Sequence, residues 1–252
     1  MADVEYLDSP DGRRLAYVKT DGRGPGVVFL GGFKSDMEGT KALYLEEWAR
    51  ASGRAFLRFD YSGHGQSSEA FTDGSIGDWA ADAMAVISAL TEGPQILVGS
   101  SMGGWISLLL ARAMPQRVAG LVTIAAAPDF TEDSMWASFD DHQRAALEAD
   151  GQVTLPSDYG EPYIITKRLI EDGRTNLVMR DELKLPFPVR SLQGTLDADV
   201  DMSVALRLLD HAQSPDMRLT LVDGADHRFS DPDCLSSITD TEEEVLNRIG
   251  AW

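Results

Sequence analysis

Chemistry enters this chain most visibly at Gly99-Ser100-Ser101-Met102-Gly103, a G-x-S-x-G pattern at the junction of two differently patterned stretches. Upstream, residues 95–98 are short, apolar and β-branched; downstream, residues 102–114 carry Ile106, Leu109, Leu110 and Met114 at helical spacing until Pro115 stops them. Small residues on either side of Ser101 allow a sharp strand-to-helix turn that pushes the serine hydroxyl out at the top of a sheet. A hydroxyl becomes a nucleophile only when a base takes its proton, and the base works best when a third group fixes its tautomer and its charge. The chain must therefore supply a histidine and a carboxylate at other strand ends.

Four histidines are available. His227 lies in Gly224-Ala225-Asp226-His227-Arg228-Phe229, the loop directly after an apolar run at 217–222, and its place in the chain selects it. His64 falls in the turn-rich Asp60-Tyr61-Ser62-Gly63-His64-Gly65, where an imidazole bracing the loop by hydrogen bonds is expected. His142 and His211 fall on helix-like segments as surface residues. The acid should lie between nucleophile and histidine in the order Ser, Asp/Glu, His. The apolar run 189–193 continues into Gly194-Thr195-Leu196-Asp197-Ala198-Asp199-Val200-Asp201, and Asp197 is the first acid after it. Asp199 and Asp201 are rivals that could instead cap the next helix, and Asp129 is a more distant one. Acyl transfer also needs donors aimed at the developing oxyanion. The Met102 N–H, at the head of the helix after Ser101, supplies one together with the helix dipole. The Phe33 N–H supplies the second, because Gly31-Gly32 lets the backbone curl inward after the run 27–30.

The elements that must hold these groups alternate strand and helix. Residues 4–7 and 15–19 flank Ser9-Pro10-Asp11-Gly12 and read as a β-hairpin. Strands follow at 27–30, 55–59, 95–98, 118–126, 189–193 and 217–222. Helices fall at 37–51, 76–90 (with Ser75 as cap), 102–114, 204–211 and 233–249. Such alternation of apolar strand runs with helices predicts an α/β fold: a mostly parallel sheet covered on both faces, with ligands gathering at the carboxyl ends of the strands. Between 129 and 186 the rhythm changes to polar, irregular sequence with helix-like pieces at 142–148 and 163–171 and no obvious strand alternation. This stretch is expected to be an inserted helical cap on a core formed by 1–128 and 187–252, and its Trp136, Phe139, Tyr159 and Tyr163 are candidates for lining an acyl tunnel.

Composition sets the outer bounds. The 252 residues suit one α/β unit with an insertion, and 43% hydrophobic with 25% charged residues is ordinary globular material. A formal charge of −19 argues against nucleic acid and anionic membrane surfaces as partners. No apolar run is long enough to span a bilayer, so stable membrane insertion is not expected. The single Cys234 makes no intramolecular disulfide and is expected to be inert. No His, Cys and carboxylate spacing suits a metal, and no organic cofactor is implied. The first residues, MADVEYLDSPDGRR, have neither an apolar nor an Arg-rich, acid-poor leader, which predicts a cytoplasmic location.

Taken together, the elbow at 99–103, Gly31-Gly32-Phe33, the loop 60–65, the stretch 194–200 and Asp226-His227 resemble the α/β-hydrolase superfamily in kind and order. Three stretches, Arg58-Phe59-Asp60-Tyr61-Ser62-Gly63, residues 93–101 (GPQILVGSS) and Asp226-His227-Arg228, resemble its mitochondrial depalmitoylase and acyl-glucuronide esterase group. The resemblance implies an α/β-hydrolase fold and a serine hydrolase acting on a small-molecule carboxylic ester or thioester through an acyl-enzyme. It also implies a Ser101, Asp197 and His227 triad with an oxyanion hole of the Phe33 and Met102 amides. A carbon–carbon bond hydrolase using the same triad, and a catalytically silent binding member of the fold, are the alternatives.

Overall fold

The computed structural model describes residues 3–156 and 162–250. Eight strands form one sheet: β1 (Glu5–Asp8), β2 (Arg14–Thr20), β3 (Arg23–Leu30), β4 (Arg54–Phe59), β5 (Gln95–Ser100), β6 (Val118–Ile124), β7 (Val189–Gly194) and β8 (Met217–Val222), in the spatial order β1-β2-β4-β3-β5-β6-β7-β8. β1 and β2 form the antiparallel hairpin, and β2 joins β4 antiparallel. All remaining pairs are parallel.

The central parallel strands β3, β5 and β6 carry mainly apolar residues where they pair because both faces are covered. Val27, Phe29, Phe56, Ile96, Val98, Val122 and Ile124 point to one side, where α1 (Thr40–Ala51) supplies Ala42, Leu45 and Ala49 and the long C-terminal helix supplies Ile238 and Val245. Val28, Leu30, Leu57, Leu97 and Leu121 point to the other, onto α2 (Ile76–Leu90) and α3 (Met102–Ala113) through Trp79, Ile87, Trp105 and Ile106. The strand carboxyl ends β3, β5, β6 and β7 open side by side along one rim.

Between β6 and β7, residues 131–136 wind as a π-helix and α4 (Asp141–Asp150) follows, capped by the Asp140 side chain on the Gln143 N–H and ended by Gly151. The expected absence of strands here is corrected: Gln152–Leu155 and Tyr163–Thr166 pair antiparallel, so the helix expected from 163 begins only at α5 (Lys167–Thr175). Ile164, Ile165 and Thr166 are consecutive β-branched residues, which suit a pleated pair better than a helical turn. After β7 come α6 (Met202–His211), and after β8 α7 (Pro232–Arg248).

One helix start and one helix cap also differ from expectation. α1 begins at Thr40 rather than 37, because the Met37 N–H is engaged by the Asp60 carboxylate at 2.7 Å. Ser75 precedes α2 as expected, but its hydroxyl donates to Asp78 and makes no cap bond.

Candidate active site

Ser101 sits between β5 and α3 with φ 54° and ψ −117°, a conformation that a non-glycine residue holds only when its surroundings impose it. The surroundings do: the Ser101 N–H donates to the Ile124 carbonyl at the end of β6 (2.9 Å), and its own carbonyl accepts from Gly104 and Ala127. The turn also depends on close approach at Gly103, where a side chain would meet the Leu30 carbonyl oxygen at 2.0 Å.

From this elbow the Ser101 hydroxyl reaches the Nε2 of His227 at 3.1 Å, and the Nδ1 of His227 reaches Oδ2 of Asp197 at 2.9 Å. The Nδ1–H donates to the carboxylate, leaving the Nε2 lone pair to accept from the hydroxyl. His227 follows β8 and Asp197 follows β7, so parallel neighbours bring residues 30 and 126 positions apart to one point. Asp197 has a fully buried side chain, and burial acts to raise its carboxyl. Donors outweigh that effect: His227, the Val200 N–H on Oδ1 and the Gln193 amide on Oδ2 hold it below the ordinary carboxylate value.

The rival acids are occupied elsewhere. Asp201 caps α6 through the Ser203 N–H, and Asp199 is exposed. Asp129, fully buried, accepts from the Val178 and Met179 amides and from Arg180; burial raises its carboxyl despite these donors. Asp197, Asp199 and His227 offer ligand atoms within 4.8 Å of one another, but His227 Nδ1 and Asp197 Oδ2 engage each other and Asp197 Oδ1 accepts two backbone amides. That donor set is arranged as a hydrogen-bonded pair rather than as a cation cage.

The Met102 amide lies in the first turn of α3, where helix N–H groups have no intrahelical partner. Phe33 lies in the loop after β3, and that loop adjoins Ser101: a side chain on Gly32 would touch the Ser101 Cβ at 3.4 Å. The Phe33 ring packs edge-on against Phe71, Phe130 and Tyr163 with centroids 4.9 to 5.7 Å apart.

Ser101 and His227 open into a cavity of about 970 Å³ whose walls include Phe33, Phe130, Met135, Tyr163 and Val204 on the apolar side and Lys34, Lys41, Arg207 and Arg228 on the polar side. Of the four aromatic residues expected in a tunnel, Tyr163 lines the cavity. Trp136 and Phe139 instead pack on each other, Phe139 in the core and Trp136 beneath the guanidinium groups of Arg144 and Arg174. Tyr159 lies outside the described residues. Phe130, Met135 and Lys34 carry no motif in the sequence; only proximity to Pro128 and to Gly31-Gly32 hints at them. Lys41 donates to the Arg228 carbonyl beside His227, and burial lowers its ammonium to about 8.

Residues 28–163 match the family model of the alpha/beta hydrolase fold. The chain is 33% identical over 248 residues to the rat palmitoyl-protein thioesterase ABHD10, mitochondrial, covering 98% of this chain and 83% of the relative. The chain belongs to the α/β-hydrolase family. Among α/β-hydrolase structures, that of alpha/beta hydrolase domain-containing protein 10 from mouse is 32% identical and superposes with a TM-score of 0.91 over 98% of this chain and 100% of that one. A crystal structure from Agrobacterium vitis S4 is 39% identical, with a TM-score of 0.94 over 98% and 99%. Among the relatives of this α/β-hydrolase are proteins named as thioesterases and esterases. The cytoplasmic location expected from the first fourteen residues is corrected by the same comparison. The rat, cattle and human relatives are named as mitochondrial. That expectation rested on the composition of the first fourteen residues, which carries no address. No helix among the described residues is long and apolar enough to cross a membrane.

Proposed function

We propose that this chain is a serine hydrolase that cleaves carboxylic esters or thioesters through an acyl-enzyme, with Ser101 as nucleophile, His227 as base and acid, and Asp197 fixing the imidazole. One observation carries the reading: an unbroken pair of hydrogen bonds, 3.1 and 2.9 Å, runs from the Ser101 hydroxyl through His227 to a buried Asp197. As Oγ bonds to the acyl carbon, its proton passes to Nε2, and the new oxyanion is received by the Met102 and Phe33 amides. His227 then returns the proton to the leaving alcohol or thiol as its bond to the acyl carbon breaks. Water repeats the sequence and releases the carboxylic acid.

Residues 129–186 act in this reading as a cap over the core of 1–128 and 187–252. The cavity supports that division, since Phe130, Met135 and Tyr163 from the one and Phe33 and Val204 from the other make one apolar wall suited to an acyl chain. The rat relative is named a palmitoyl-protein thioesterase, and this favours a thioester of a long acyl chain as substrate. A panel of p-nitrophenyl esters and acyl thioesters of graded length, with fluorophosphonate labelling, tests the reading. Hydrolysis and labelling at Ser101 that both vanish in Ser101→Ala support it; a variant that still turns over ester overturns it.

A further inference from the structure

The Phe33 amide can receive an oxyanion only if its loop is held still, and the loop has no secondary structure of its own. Lys34, the next residue, adopts φ 57° in the left-handed region, which a lysine does not choose unaided. The Phe33 N–H donates to no group among the described residues, whereas the N–H of Lys34 donates to Nε2 of His64 at 3.2 Å.

We infer that His64 is a positioning residue, whose Nε2 anchors the Lys34 N–H and so aims the neighbouring Phe33 amide at the reacting carbonyl oxygen. The inference rests on the hydrolase reading above. What fixes the imidazole is a buried chain of hydrogen bonds. Its Nδ1–H donates to the Ser62 carbonyl at 3.1 Å, which leaves Nε2 as an acceptor and nothing else. That carbonyl also accepts from Trp79 Nε1 at 3.0 Å, and the Ser62 N–H and hydroxyl both donate to Asp82 at 2.9 and 2.6 Å. Asp82, fully buried, is met on its other oxygen by Arg13 at 2.7 Å. The ring itself is enclosed edge-on by Tyr61, Phe71 and Trp79 with centroids 5.1 to 5.6 Å away. Burial pushes the imidazolium down to about 4, so the acceptor lone pair persists at neutral pH. A second clamp, Asp60 on the Met37 N–H, holds the far side of the same loop, so the segment between is tied at both ends from the 60–66 turn.

A histidine serving only the core would be replaceable by any side chain that fills its cage. Three substitutions separate the two roles. His64→Phe fills the aromatic cage and removes the acceptor. His64→Gln keeps a carbonyl oxygen near the Nε2 position, and His64→Asn keeps only a donor near Nδ1. Ester kcat and KM, melting temperature and affinity for an alkyl boronic acid, which forms a tetrahedral anionic adduct on the serine, are measured for each. The expected result is a kcat loss of about 10- to 100-fold in the Phe and Asn variants, less than the 100- to 1,000-fold lost with an oxyanion donor itself. Boronate affinity falls in parallel, KM and the pH profile hold, and the Gln variant regains most of the loss. Where the Phe variant fails to fold, the Gln and Asn pair alone decides. An active wild type whose kcat and boronate affinity are unmoved by all three changes, or move only with melting temperature, overturns the positioning role alone. A wild type inert to esters, fluorophosphonate and boronate overturns the hydrolase reading and this role with it.

Discussion

Two buried carboxyl groups at opposite ends of the sheet show how differently this fold treats a negative charge. Asp197 follows β7 at the carboxyl rim and is met by His227, Gln193 and the amides of Asp199 and Val200; its charge is held. Glu242 sits on α7 near Arg54, the first residue of β4, and neither of its oxygens accepts a hydrogen bond among the described residues. Burial raises it to about 8, with Arg54 only partly opposing, so at neutral pH it holds a proton instead. Equal burial gives opposite charge states because donors surround Asp197 whereas no hydrogen bond among the described residues reaches Glu242. Loops leaving parallel strands bring amides to the carboxyl rim, which is where the proposed hydrolase would use them.

The largest effect should come from the rim itself. Ser101→Ala is expected to lower ester turnover by at least about 10⁴-fold, with an unchanged circular dichroism spectrum. Asp197→Asn should follow at about 10³- to 10⁴-fold, because every group now facing Asp197 is a donor and an amide must set its own NH₂ against one of them. Steady-state kinetics on one p-nitrophenyl ester check both. Wild-type turnover in Asp197→Asn would mean that the donors around that carboxylate do nothing for the reaction, and the contrast with Glu242 would lose its functional sense.

The rim was legible in the sequence for a physical reason. Each of its polar residues lies in the loop after a strand-like run, so strand ends could be found from the residue pattern and chain order assigned the rest. The choice of Met102 and Phe33 as proposed oxyanion donors came from the same reading, since one heads a helix and the other follows two glycines. The 129–186 stretch carries no such signal. Two of its strands are four residues each and pair only with one another, the two-residue Leu183–Lys184 pairs with Ala212–Gln213, and its aromatic side chains divide between the cavity at Tyr163 and the core at Phe139. Which way an aromatic side chain turns depends on partners from distant elements, as with Trp136 under Arg144 and Arg174. His64 was legible as a brace but not in what it braces, because Lys34 is 30 residues away.

Asp129 offers an intermediate case, a buried acid with donors that secures structure rather than chemistry. It ties the end of β6 to Val178, Met179 and Arg180. Asp129→Ala leaves two buried amides without acceptors, and a loss of about 2 to 3 kcal/mol in chemical denaturation is expected. Hydrogen exchange should quicken at 176–180 while residues 95–113, the β5 and α3 elbow, keep their protection. Equal loosening of both regions would show that the stretch 129–186 and the rim are one cooperative unit.

Glu242→Gln should have the smallest effect on turnover, and its effect on stability should grow as pH rises from 4.5 to 8. The folded chain keeps the Glu242 proton up to about 8, whereas the unfolded chain loses it near 4.5. Below 4.5 both states are protonated and the group contributes nothing to pH dependence. Through the window from 4.5 to 8 the unfolded state sheds a proton that the folded state retains, so stability falls as pH rises, by up to about 1.4 kcal/mol per unit, and levels off above it. Glutamine has the same shape and no proton to lose, so the variant should match wild type near pH 4.5 and melt progressively above it as pH rises to 8, the gap holding level beyond. Ester turnover at pH 7 should not move, because Glu242 lies at the far end of the strands from Ser101. Parallel melting-temperature curves for the two proteins across that range would place a donor on Glu242, and the two ends of the sheet would then treat a buried charge alike.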